Sequence, residues 1–98
     1  MLLLVFNAVI ALAQGSVKGR VLDKKSNTGL EFINVVIRKT GSTKILKGAI
    51  TDTEGHFIIT DVPYGNYTLT ASFVGYKDLV KPFEISNTNT NKNFIALY

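Results

Sequence analysis

The chain has 98 residues, enough for one domain. With 46% hydrophobic and 18% charged residues it has a globular composition, and with no cysteine it has neither a disulfide framework nor a thiolate metal site. Its formal net charge of +4 comes from 11 scattered basic residues, not from the one-sided basic face of a nucleic-acid binder, so no nucleic-acid partner is expected.

Residues 1–13, MLLLVFNAVIALA, carry no charge, and Asn7 is their one polar side chain. The run is shorter than the about 20 apolar residues that a membrane-spanning helix needs. It ends in Ala11-Leu12-Ala13, the small-x-small pattern of a signal-peptidase site, followed by Gln14-Gly15-Ser16. It reads as the apolar region of a secretory signal, cleaved after Ala13, although no Lys or Arg precedes it. Residues 14–98 then form the mature domain, with no membrane insertion of its own.

From there, Gly and Asn/Asp/Ser clusters recur at the spacing of an all-β domain, with no helical periodicity and no internal repeat. Strand one is predicted over Ser16 to Asp23, where Val17, Gly19 and Val21 share one face and Lys18 and Arg20 the other. Strand two is predicted over Phe32 to Lys39, where Ile33, Val35 and Ile37 alternate with Asn34, Val36 and Arg38. Strand three covers Leu46 to Asp52, and strand four His56 to Thr60. Strand five, Tyr67 to Val74, has the cleanest alternation: Tyr67, Leu69, Ala71 and Phe73 on one face, Thr68, Thr70 and Ser72 on the other. Strand six covers Lys77 to Ile85, and Phe94 to Tyr98 closes the domain. The expected architecture is a seven-stranded antiparallel β-sandwich with Greek-key connectivity, its core built on Val21, Val35, Ile37, Phe57, Ile59, Tyr67, Leu69 and Phe73.

The stretches between strands carry turn chemistry. In Asp52-Thr53-Glu54-Gly55 the Asp side chain accepts from the backbone two residues on, and Gly55 supplies a positive φ. In Asp61-Val62-Pro63-Tyr64-Gly65, Pro63 forces Val62 to be extended and Gly65 allows the reversal, so this corner is expected to carry the chain from one sheet to the other. Gly75, ahead of Tyr76, marks a bulge or a close backbone approach at the end of strand five. Tyr76 is expected to rest its ring on the core edge.

Reactive chemistry is sparse. A calcium site needs five or more converging oxygens, and this loop offers only the carboxylates of Asp52 and Glu54, so no metal or cofactor is expected. His56 is the sole histidine and lacks the partners of a metal site or a triad; it reads as a solvent-facing strand residue. Asp52, Glu54 and Asp61 are accounted for by turns, and no Ser lies in a Gly-x-Ser-x-Gly elbow. A Lys18–Asn93 isopeptide bond would need a buried acid beside both, and none is identifiable. Tyr64, Tyr76 and Tyr98 either brace the ends of the domain or form a sugar- or peptide-binding patch.

Several short motifs recur in a telling order: Gly19-Arg20-Val21-Leu22-Asp23, the INVVI strand at 33–37, Thr51 to Phe57 (TDTEGHF), Val62 to Tyr67 (VPYGNY) and Phe73 to Tyr76 (FVGY). Over about Gly15 to Leu97 the chain resembles the carboxypeptidase regulatory-like domain, a transthyretin-like (prealbumin-like) β-sandwich. The resemblance implies a binding or structural module without catalytic residues. Its nearest flavour is the domain that follows the signal peptide in Bacteroidetes outer-membrane proteins, including TonB-dependent receptors. That implies an exported, periplasmic docking module in nutrient uptake, with the plug and barrel of its own longer chain, and other periplasmic proteins, as partners. The alternatives are a stand-alone exported carbohydrate- or peptide-binding sandwich, or an accessory domain of a metallocarboxypeptidase. The transthyretin-like fold also hosts hydroxyisourate hydrolase. That activity would require several His, an Arg and a Tyr-Arg-Gly-Ser ending, against one His and FIALY at 94–98 here, so it is not expected.

Overall fold

In the computed structural model, the backbone of residues 14–97 and the side chains of residues 14–94 are described. Residues 1–13, the expected signal segment, and Tyr98 lie outside them. Seven strands follow in order: β1 (Gln14–Leu22), β2 (Asn34–Lys39), β3 (Ile45–Ile50), β4 (His56–Pro63), β5 (Gly65–Ser72), β6 (Leu79–Ile85) and β7 (Asn91–Leu97). They form a three-stranded sheet, β4-β1-β7, and a four-stranded sheet, β3-β2-β5-β6.

Four of the strand pairs are antiparallel, as expected, but β1 and β7 run parallel. β1 is antiparallel to β4 and parallel to β7 in the same sheet, so β4 and β7 run in opposite directions. β1 pairs with β4, β2 with β3 and β5, and β5 with β6, always odd with even. β1 with β7 is the one odd–odd pairing.

Both sheets contribute to one core. Val17, Val21, Phe57, Ile59, Val62 and Phe94 come from the three-stranded sheet, and Val35, Ile37, Tyr67, Leu69, Phe83 and Ile85 from the four-stranded one, all buried. Hydrophobic burial of this kind is the main stabilising contribution to a small domain. An aromatic ladder ties the layers together. The Tyr67 ring stacks on Phe83 with centroids 5.5 Å apart, and Phe83 meets Phe94 edge-on at 5.5 Å. Phe83 and Phe94, unclaimed by the alternation argument, complete this ladder from β6 and β7.

Phe73 is the exception among the predicted core residues, at 38% exposure. β5 ends at Ser72, so the alternation that buries Tyr67, Leu69 and Ala71 stops one residue short of it. Phe73 to Tyr76 form a turn, closed by the Tyr76 N–H donating to the Phe73 carbonyl at 3.1 Å. Gly75 sits there at φ 89°, in the turn rather than in the strand. Tyr76 is correspondingly exposed, and its ring packs on Phe73, 5.8 Å between centroids, rather than on the core.

Pro63 also departs from expectation, as the last residue of β4 rather than a turn residue. β4 continues past Thr60 because a bulge absorbs one extra residue: Gly15 pairs with Val62, but Val17 pairs with Ile59. Asp61, at φ 57°, takes the left-handed conformation within that irregularity. β4 is an edge strand, where the missing Pro63 N–H is tolerated. Only Tyr64 separates β4 from Gly65 at the start of β5, and there the chain does pass between sheets.

Candidate functional site

The acidic turn that drew attention in the sequence is a self-contained cap. Asp52 Oδ1 accepts from the backbone N–H groups of Glu54 and His56, both at 2.9 Å. The Asp52 carbonyl accepts from Gly55 N–H, and the His56 carbonyl from Asp52 N–H, each at 2.9 Å. These contacts, led by the His56 N–H, hold the Asp52 carboxyl below the ordinary 3.8. Gly55 has φ 82°, and a Cβ there would collide with the Val21 carbonyl, so both conformation and space exclude a side chain. Glu54 reaches across to β1: Arg20 Nε donates to its carbonyl at 2.8 Å, and the guanidinium lies 3.9 Å from its carboxylate. Asp23 repeats the logic in the loop after β1, where its carboxylate accepts from Lys25 and Ser26 N–H groups at 2.8 and 3.2 Å. Those N–H groups, Ser26 first, keep its carboxyl below 3.8.

No three His, Cys, Asp or Glu side chains gather into a metal-holding group among the described residues. His56 is exposed on β4, opposite Arg20 of β1. Lys18 and Asn93 are direct neighbours across β1 and β7, yet both are exposed, which is not the enclosed setting that an isopeptide bond requires. Tyr64 and Tyr76 are 40% and 44% exposed but flank opposite ends of the eight-residue β5, roughly 25 Å apart at strand rise. They do not form one patch, and Tyr98 lies outside the described residues.

A groove of about 660 Å³ runs along the three-stranded sheet and the nearby end of β3. Lys18, Arg20, Ile50, Asp52, His56, Ile58 and Asn93 are among the residues that line it. Register assembles it: Lys18 is paired with Ile58 and Asn93, and Arg20 with His56. The shared face of Lys18 and Arg20 was legible from alternation. Their neighbours His56, Ile58 and Asn93 were not, because strand pairing leaves no local signature. Two cations, the Asp52 carboxylate, an imidazole and an amide over apolar side chains suit a hydroxyl-rich ligand. The groove brings together no nucleophile with a base.

The family described as CarboxypepD_reg-like domain matches residues 17–97. The search of the curated proteins finds no match. Among solved structures, the chain is similar to the 5-hydroxyisourate hydrolase of Klebsiella pneumoniae, with TM-score 0.66 at 19% identity, covering 86% of this chain and 84% of that one. It is similar to BcpA, the major pilin subunit of Bacillus cereus, with TM-score 0.69 at 14% identity, covering 87% of this chain but 29% of the pilin. A dioxygenase domain from Streptomyces sp. SirexAA-E gives TM-score 0.62 at 14% identity over 92% of this chain and 84% of that one. At such identities the likeness is one of fold, the transthyretin-like (prealbumin-like) fold, and it carries neither hydrolase nor dioxygenase chemistry to this chain.

Proposed function

This chain belongs to the CarboxypepD_reg-like domain family, and from that premise we propose that it is a non-catalytic docking module of an exported protein. Its two sheets act as a prealbumin-like sandwich of Greek-key type that holds its loops and edges in fixed relation. The signal-like segment 1–13 supports export, with the mature domain at the periplasmic side of an outer membrane, ahead of the plug and barrel of a TonB-dependent receptor in its own longer chain. The observation that carries the non-catalytic reading is the state of Asp52. The most suggestive acid in the sequence has Oδ1 accepting from two backbone N–H groups, so it works as a cap rather than as an acid or base.

The coding sequence downstream of Tyr98 tests the receptor context: a plug followed by long alternating barrel strands supports it, and a zinc-peptidase signature there overturns it. One structural observation favours a second function, a carbohydrate- or peptide-binding sandwich: the groove beside Lys18, Arg20 and Asn93. A glycan and peptide array probed with the protein separates the two. Saturable micromolar binding that is lost in Lys18→Ala and Arg20→Ala variants would favour the second over the first.

A further inference from the structure

The 11 bases and seven acids are unevenly placed along the chain. From Phe32 to Thr51 there is no acid, and Arg38, Lys39, Lys44 and Lys47 all lie there. Eleven bases less these four leave seven, which the seven acids balance, so the whole net charge of +4 sits on the hairpin of β2 and β3. None of the four pairs with a carboxylate among the described residues. Lys47 donates to the Thr60 carbonyl at 2.7 Å and Arg38 Nε to the Thr43 carbonyl at 3.2 Å, both neutral acceptors. Lys39 and Lys44 are exposed.

A bulge shapes the surface between these two lysines. Ile37 pairs with Lys47 and Arg38 with Ile45, so Leu46 is the extra residue. A bulge re-aims side chains. Ile45 and Leu46 are both turned to water, 53% and 40% exposed, where alternation alone would send them to opposite faces. With Lys39, Ser42 and Lys44 they line a hollow of about 240 Å³. Its rim is held by the backbone: Ser42 N–H donates to the Lys39 carbonyl at 2.9 Å, and Lys44 N–H to Ser42 Oγ at 3.1 Å. A ligand therefore meets a loop that is already ordered, which lowers the entropy cost of binding.

We propose that this hollow is the contact by which the docking module holds an acidic, apolar-flanked segment of a partner protein. An Asp or Glu side chain lies between Lys39 and Lys44, and its aliphatic neighbour rests on Ile45 and Leu46. The inference rests on the docking reading and names the surface and the partner's chemistry. Arg38 and Lys47 add longer-range attraction. The place of the apolar pair selects a protein over other anions. A bilayer would meet the hairpin tip, Thr40-Gly41-Ser42-Thr43, which is polar, while Ile45 and Leu46 stand behind it on the flank. A single-stranded nucleic acid would need rings for stacking, and residues 38–47 contain none.

Fluorescence anisotropy of a labelled peptide of alternating glutamate and leucine, titrated with the 98-residue chain, tests this. Saturable binding that weakens with added salt is expected. The double variant Lys39→Glu, Lys44→Glu should bind about tenfold more weakly or worse. The double variant Lys24→Glu, Lys25→Glu, an equal charge change in the loop after β1, should bind as the wild type does. Leu46→Ser should weaken binding of this peptide but not of one alternating glutamate and serine. All five positions are exposed, so the variants keep the fold. Absence of binding, equal losses in the two double variants, or stronger association with phosphatidylglycerol vesicles or single-stranded DNA than with the peptide would each overturn the proposal. Such results leave the receptor context standing if a plug and barrel follow Tyr98; a zinc-peptidase signature there leaves the hairpin contact standing if the peptide binds.

Discussion

The Tyr67 hydroxyl donates to the Pro63 carbonyl at 2.6 Å, spanning the corner at Tyr64 where the chain leaves one sheet for the other. The ring is fully buried and the hydroxyl returns to backbone four residues upstream, the arrangement of a tyrosine corner. One residue thus fills the core and sets the angle between β4 and β5. Tyr67→Phe keeps the ring and removes the bond, and should cost about 1 kcal/mol in urea unfolding. Tyr67→Ala also empties the ring site, and should cost about 3–5 kcal/mol.

The same tyrosine imposes a pH limit. Burial raises its pKa above the ordinary 10.0, so the unfolded chain loses this proton first as pH rises. Its contribution is fully present below pH 10 and is lost as the pH climbs from there toward the folded-state value. Unfolding curves recorded from pH 9 upward should show a steeper alkaline loss of stability in the wild type than in Tyr67→Phe. Parallel curves would exclude Tyr67 as the cause.

Asp52 works at the opposite end of the scale. Its folded-state pKa lies below 3.8, chiefly through the His56 N–H, so its contribution is present above the ordinary value and is lost as pH falls through the lowered one. Asp52→Asn retains an acceptor oxygen and Asp52→Ala does not. The order of urea midpoints at neutral pH should therefore be wild type, then Asn, then Ala. The acid limb between pH 4 and 2 should be flatter in both variants than in the wild type.

Two phenylalanines show what alternation can and cannot reveal. Phe83 is buried between the rings of Tyr67 and Phe94, whereas Phe73 stands just past the end of β5. Phe83→Ala should cost about 3–5 kcal/mol, most of the roughly 5 kcal/mol expected of a domain this size. Phe73→Ala should change stability by no more than about 0.5 kcal/mol. Equal losses in urea unfolding would contradict this assignment of the core.

The strands were legible because their cores alternate. Val35 and Ile37, Phe57 and Ile59, Tyr67 and Leu69 are each two apart, and each pair is buried. The corner at Tyr64 was legible through Pro63 and Gly65, although Pro63 itself lies within β4. Less visible was everything set by pairing between distant residues. The parallel β1–β7 match, the bulge at Asp61 and the groove beside Lys18 all arise from register, which no local window encodes. Phe73 was misplaced because a period of two says which face a residue takes, not where the strand stops.

Thr51 is a last instance of a role hidden from sequence. Among the described residues it is the buried polar one, at 2% exposure. Its Oγ1 accepts from Ile33 N–H at 2.8 Å and donates to the Leu30 carbonyl at 2.6 Å, so one hydroxyl satisfies two backbone groups of the segment entering β2. Thr51→Val has nearly the same shape but leaves a buried donor and an acceptor without partners, costing about 1–3 kcal/mol for each group that water cannot reach. Thr51→Ser keeps both bonds and removes one methyl group, about 1 kcal/mol. Urea unfolding should rank Val well below Ser despite its greater hydrophobicity, with hydrogen exchange at Ile33 accelerated in Val alone. If Val equals or exceeds Ser, the hydroxyl is not what anchors the start of β2.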